Sequence, residues 1–213
     1  GFSCSCGHRF CFIPAPFHTR NCYNGFEGVM LMKVFNIYPD CGTCSPGKVV
    51  KINVSILVEV PAVVPFLIEV FHLNEKKQSF VKEVTLETGE QQISILLQVP
   101  PESPRGYLVN ISCQDPAGME KVKVSTAFDV LEDWTQFPRY GFLTDFFEDQ
   151  HTNDDRIQSL LKYHINGIQF YDWQYRHDQL MPPTNEFLDP LGRQMSLKVI
   201  ETLISDCHKA GIK

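Results

Sequence analysis

Hydrophobic and polar positions change their period once along the chain. From about residue 29 to residue 130, apolar side chains alternate with polar ones in short runs. Residues 49–58 are β-branched, alternate in part, and follow the turn Ser45-Pro46-Gly47. Residues 66–73, 82–86 and 91–99 continue the pattern, the last two separated by Thr88-Gly89-Glu90. A further run, 105–112, follows a corner at Pro100, Pro101 and Pro104. After the turn Asp115-Pro116-Ala117-Gly118, residues 121–130 alternate as the last run. A period of two between turn signals marks short strands with one buried face. Six or seven of them over roughly 100 residues predict an immunoglobulin-like β-sandwich, and Tyr107 at its corner suits that fold.

Beyond Leu131 the period lengthens. Residues 131–138 form a connector carrying Trp134, Phe137 and Pro138, and 139–146 read as a strand. Asp154 is placed to cap a helix on which Ile157, Leu160, Leu161 and His164 share one face, and Asn166-Gly167 ends it. Residues 168–173 are largely apolar, as a strand buried on both sides should be. A 21-residue loop, 174–194, leads to a helix over 195–209 whose inner face is Leu197, Ile200, Leu203, Ile204 and Cys207. The order β-α-β-α points to a parallel sheet or barrel. A (β/α)8 barrel takes about 200–250 residues, and only about 80 follow the sandwich. The expected architecture is thus a β-sandwich followed by the first two βα units of a (β/α)8 barrel, truncated, with a third strand starting at Ile212. The chain starts at Gly1 and stops at Lys213, and both ends read as cut. Three segments follow: a Cys-rich, irregular stretch over 1–28, the sandwich over 29–131, and the start of the barrel over 132–213.

Composition narrows the classes of function. The net charge is −6, and the acidic excess lies mostly after residue 131. Nucleic acid and anionic membrane surfaces call for clustered Lys and Arg, so neither is an expected partner. No apolar run reaches the ~18 residues of a membrane span, and no signal-peptide pattern opens the chain. Of the eight cysteines, Cys4, Cys6, Cys11, Cys22, Cys41 and Cys44 fall early. Together with His18 they allow a zinc reading, but Cys4-x-Cys6 and a solitary Cys22 lack the paired knuckles of structural zinc sites. A disulfide between Cys41 and Cys44, or between two N-terminal cysteines, suits a secreted protein; the other expectation is a loose N-terminus with free thiols. No metal or other cofactor is expected.

Chemistry concentrates where strands of the second segment end. Asp145 closes the first of them. Tyr171, Asp172 and Trp173 close the second, and Tyr175, Arg176, His177 and Asp178 open the long loop. In barrels the working residues sit at such positions, and long loops are usually functional. Aromatics flanking a carboxylate, then Tyr-Arg-His, suit a carbohydrate, since sugar rings lie on aromatic faces while Asp, Arg and His bond the hydroxyls. A structural role fits the same residues, with Phe170 and Trp173 in a core and Arg176 paired to Asp172 or Asp178. His164 and His208 read as helix C-terminal cations or core side chains. The turn Asp189-Pro190-Leu191-Gly192-Arg193 holds a candidate Asp189–Arg193 pair of structural character. Asn53-Val54-Ser55 and Asn110-Ile111-Ser112 match the glycosylation pattern on expected strands.

The stretch from Phe137 to Leu143, the run from Tyr163 to His177, the turn from Asp189 to Arg193 and the ending His208-Lys209-Ala210-Gly211 resemble glycoside hydrolase family 66. That family contains dextranases and cycloisomaltooligosaccharide glucanotransferases. The resemblance is specific over 137–213, architectural over 30–131, and absent over 1–28. It implies hydrolysis or cyclising transglycosylation of α-1,6-glucan with retention, by an extracellular enzyme. Retention needs two carboxyl groups ~5–5.5 Å apart across the scissile bond. In the family an Asp nucleophile and a Glu acid/base come from later strands, beyond Lys213. No catalytic residue is therefore assigned to this chain. Asp145, Tyr171, Asp172, Trp173, Tyr175, Arg176 and His177 are expected to bind substrate. Two competing readings are a non-catalytic carbohydrate-binding or adhesion module, which needs exposed aromatics among Phe66, Phe71, Phe80, Tyr107 and Phe128, and a metal-binding N-terminal module.

Overall fold

A computed structural model describes residues 32–114, 116, 121–147 and 153–213. The Cys-rich stretch, with its zinc reading, and most of the 115–118 turn lie outside the described residues. Seven antiparallel strands come first: β1 (Met32–Pro39), β2 (Val49–Val58), β3 (Ala62–His72), β4 (Glu75–Leu86), β5 (Gly89–Gln98), β6 (Arg105–Gln114) and β7 (Lys121–Val130). They form two sheets, ordered β1-β2-β5 and β4-β3-β6-β7. Alternation in β2 puts Val50, Ile52, Val54, Ile56 and Val58 inside, facing Val64, Phe66, Ile68 and Val70 of β3 and Tyr107, Val109 and Ile111 of β6 in one core. Each such side chain contributes about 1.5–3 kcal/mol on full burial, so this core is the main stabilising element of the two sheets. Asn53 is buried on β2 and accepts from Ser94 Oγ at 3.2 Å, which makes it a poor glycosylation acceptor.

β1 serves two cores. Its register shifts between Val34 and Asn36, leaving Phe35 exposed. Met32 points into the sandwich, whereas Tyr38 is buried in a second core built by the rest of the chain. The loop after β1 also spans both units. Gly42 donates to Ala210 O at 2.8 Å, and Cys44 bridges in parallel to Val130. Cys41 and Cys44 are free thiols. The Cys44 thiol is pushed far up by a hydrogen bond with Cys41, then by burial and the neighbouring Cys41 and Asp40 charges.

The connector ends in a 3-10 turn, Trp134–Gln136, capped by Asp133. Then come β8 (Tyr140–Leu143), α1 (Asn153–Lys162), β9 (Gly167–Phe170), a small hairpin of β10 (Glu186–Leu188) and β11 (Gln194–Ser196), and α2 (Leu197–Lys209). β8 and β9 are parallel. The chain's last residues lie on the far side of β9, where Lys213 donates to Asn166 O at 2.9 Å and Lys213 O accepts from Ile168 at 2.6 Å. Leu143, Phe146, Leu160, Leu161, Ile200, Leu203 and Cys207 build the second core with Tyr38.

Several local expectations need correction. β8 and β9 are shorter than the expected 139–146 and 168–173, because Asp145 and Asp172 turn the backbone out of the strand region. The loop over 174–194 is not without structure, since it carries most of the hairpin. Ile204 is 39% exposed rather than on the inner face of α2. The chain turns after α1 at His164, with φ +56, and not at Asn166-Gly167. Asn166 has another task. Its side chain is fully buried, donates to Phe137 O at 3.0 Å and accepts from Arg139 N at 2.8 Å, tying the connector to the start of β9. Gly167 is required for space, since a Cβ there would lie 2.7 Å from Trp134 Cζ3.

Candidate functional site

The C-terminal ends of β8 and β9 lie side by side because the parallel ladder runs on past them, Tyr171 N donating to Leu143 O at 2.9 Å. Past β8, Phe146 is fully buried and stacks on Phe170 at 5.3 Å, while its neighbours Asp145 and Phe147 are exposed. Both Asp145 (φ +61) and Asp172 (φ +52) adopt the left-handed conformation. Side chains other than glycine rarely do so, Asp being among the most tolerant, and such residues cluster at functional sites.

One guanidinium organises the cluster. Asp189 is buried at the turn of the β10–β11 hairpin, its side chain 1% exposed. Oδ1 accepts from the backbone N–H groups of Leu191 at 3.0 Å and Arg193 at 2.7 Å, and Oδ2 accepts from Arg193 Nε and Nη2, both at 2.6 Å. Arg193 Nη2 then reaches Asp172, 3.4 Å from its carbonyl oxygen and 3.5 Å from Oδ2. Burial alone would raise the Asp189 carboxyl, but hydrogen bonds from the Arg193 backbone and side chain and the guanidinium charge bring it below the ordinary value. Burial likewise opposes the charge on Arg193. The hydrogen bond to Asp189, with the charges of Asp189, Asp172 and Asp145, outweighs it and leaves the guanidinium more basic than usual. Arg193, Asp145, Phe147, Gln194 and Met195 line a cavity of about 260 Å³.

The remaining expected residues are spread around this cluster. Tyr171 is half exposed, its ring edge-on to the exposed Phe142 at 6.3 Å. Trp173 and Tyr175 are partly buried against the second core, Tyr175 meeting Phe187 edge-on at 6.1 Å. Arg176 lies over the Tyr175 ring at 4.7 Å, so the cation on Asp172 is Arg193 and not Arg176. Tyr175 and Arg176 help line a second cavity of about 440 Å³ against the hairpin. His177 and Asp178 are exposed in a tight turn closed by Arg176 N donating to Gln179 O at 3.0 Å. The Asp189–Arg193 pair was visible in the sequence as a turn. Its reach to Asp172 was not, because nothing in a 21-residue separation signals it. Among the described residues no group of three or more His, Cys, Asp or Glu is arranged to hold a metal ion.

Two antiparallel sheets that run into parallel βα units make an architecture that comparison with known proteins can place. The sequence model of glycosyl hydrolase family 66 matches residues 39–213, and the chain belongs to that family. The family-level activity is that of a glycoside hydrolase or glucanotransferase. Over 150 residues the chain is 29% identical to a cycloisomaltooligosaccharide glucanotransferase of Niallia circulans, covering 66% of this chain and 15% of that protein. Over 124 residues it is 29% identical to a dextranase of Streptococcus salivarius, covering 50% and 14%. Among solved structures, a Paenibacillus sp. cycloisomaltooligosaccharide glucanotransferase complexed with cycloisomaltoheptaose superposes with a TM-score of 0.75 at 25% identity, over 84% of this chain and 26% of that one. The chain thus spans about 15% of the length of these curated relatives.

Proposed function

We propose that the chain is the N-terminal part of a retaining enzyme acting on α-1,6-linked glucan by hydrolysis or cyclising transglycosylation. The strand order of the sandwich supports an immunoglobulin-like domain, and β8, β9 and the pairing of Lys213 with β9 support the opening of a (β/α)8 barrel. The observation that carries the reading is the pair of left-handed aspartates on neighbouring strand ends, Asp172 touching Arg193 and Asp145 lining the same cavity as Arg193. Asp145 and Asp172 supply acceptors for sugar hydroxyls, and Tyr171 with Phe142 offers exposed ring surface for the apolar face of a glucosyl unit. Trp173, Tyr175, Arg176 and His177 extend that surface along the loop. The nucleophile and acid/base lie outside these 213 residues, so the chain by itself is inactive. A polymeric substrate favours an extracellular enzyme. The sandwich alone makes a weaker carbohydrate-binding module, because Phe66, Tyr107 and Phe128 are buried in its core.

The test is to assay dextran with the full-length protein and with residues 1–213. Shortened or cyclic isomaltooligosaccharides of retained anomeric configuration are expected from the first and no new reducing ends from the second. Cleavage of starch in preference to dextran, or activity in the 213-residue chain that Asp172→Asn abolishes, would overturn the assignment.

A further inference from the structure

The strand-end geometry raises a question that the site residues alone do not answer. Asp172 sits in a backbone conformation that persists only where its surroundings impose it. The group that touches it on both backbone and side chain is Arg193 Nη2, at 3.4 Å from the carbonyl oxygen and 3.5 Å from Oδ2. Arg193 is in turn fixed by a carboxylate with almost no solvent exposure, through Nε and Nη2 at once. The hairpin that carries both is anchored to the other strand end, Ser196 N donating to Phe146 O at 2.6 Å beside Asp145.

We propose that Arg193 is a positioning residue for glucan binding: braced by Asp189, it fixes the orientation of Asp172 beside Asp145, and through Asp172 it sets the affinity of the strand-end site for an α-1,6-linked glucosyl unit. The inference rests on the reading proposed above and assigns to the β10–β11 hairpin a role in the site that its sequence does not announce. A planar fork is what the geometry uses. Two of its nitrogens close on Asp189 while one of them also reaches Asp172, and an ammonium group keeps the charge but cannot keep both contacts.

The experiment is titration calorimetry with a thio-linked isomaltoheptaose, which the enzyme cannot cleave, on the full-length protein in four forms: wild type, Arg193→Lys, Asp172→Asn and the double variant. Melting temperatures are measured in parallel. Arg193→Lys is expected to weaken binding about tenfold or more with its charge preserved. The double variant should bind no worse than the weaker single one, because residues acting through each other are not additive. If Arg193 only staples the hairpin, Arg193→Lys lowers the melting temperature and leaves affinity as in wild type, and the proposal falls. It falls also if the two effects multiply. Failure of the wild type to bind thio-linked isomaltoheptaose, while binding a thio-linked maltooligosaccharide, would sink the α-1,6-glucan reading, and this inference with it.

Discussion

Asp189→Asn is the sharpest perturbation of the site's foundation. The change is isosteric, so packing is untouched and only charge and donor pattern change. In the native protein both carboxylate oxygens accept, Oδ1 from two backbone N–H groups and Oδ2 from two guanidinium N–H groups. An amide has one acceptor oxygen, so whichever way it flips, an NH2 faces two donors. Hydrogen bonds to charged groups contribute about 1.5–3 kcal/mol each, and a buried unsatisfied donor costs about 1–3 kcal/mol. Two lost bonds would give the upper end. The guanidinium is 37% exposed, however, and recovers part of the loss by turning to water. The expected cost is about 2–4 kcal/mol, concentrated in the hairpin. Amide hydrogen exchange reads it directly. Protection of residues 186–196 should fall while β2, β3 and β6 keep theirs. Unchanged protection over the hairpin, with unchanged urea stability, would refute the claim that this buried carboxylate organises the site.

Three further outcomes are expected. Asn166→Ala removes both side-chain bonds between the connector and β9 at a fully buried position and should cost about 2–4 kcal/mol in urea unfolding, with Asn166→Asp no better because its second oxygen would face Phe137 O. Gly167→Ala drives a methyl against the Trp134 indole and should cost about 1–3 kcal/mol, relieved in part by Trp134→Leu, as a double-mutant cycle would show. Burial, and then the charge of Arg139, hold the His164 imidazole below its ordinary value. The unfolded chain therefore binds this proton more tightly, and the contribution to stability is full above pH ~6.5 and fades as pH falls through the folded value. Asn at 164, suited to φ +56, should flatten urea stability measured between pH ~7 and ~5.

How much of this was legible follows from how many positions each element offers a pattern. β2 has ten residues, and its observed bounds are the expected 49–58, because five inward positions alternate without interruption. β1 has no such regularity. Its irregular register and its service to two cores break the period, so it was visible only as part of a β-rich region. β10 and β11 have three residues each, too few for any period to register. In the site, Asp145 and Asp172 were legible because polar residues after apolar strands mark strand ends. Their left-handed backbone and their link to Arg193 arise from the packing of a hairpin onto two strands, a relation through space that carries no local sequence signal.

The placement of rigid and reactive parts follows from these contacts. Several contacts that join the sandwich to the second core gather at the N-terminal ends of β8 and β9. Trp134 packs on Gly167 and Tyr140, Asn166 holds the connector, and the loop at Gly42 meets Ile165. Arg139, just before β8, pairs with Asp129 of β7. The left-handed aspartates and the two cavities lined by the hairpin lie at the opposite ends, a four-residue strand away, or about 13 Å at the usual rise. Among the described residues the candidate chemistry lies at the end of the sheet away from the sandwich, where the β10–β11 hairpin packs on the strand ends beside the second core. This division matches the general one in parallel βα folds, where one end of the strands stabilises and the other works. The sandwich meets the two strands where they begin, and Arg193, braced by Asp189, meets the chain where β9 ends.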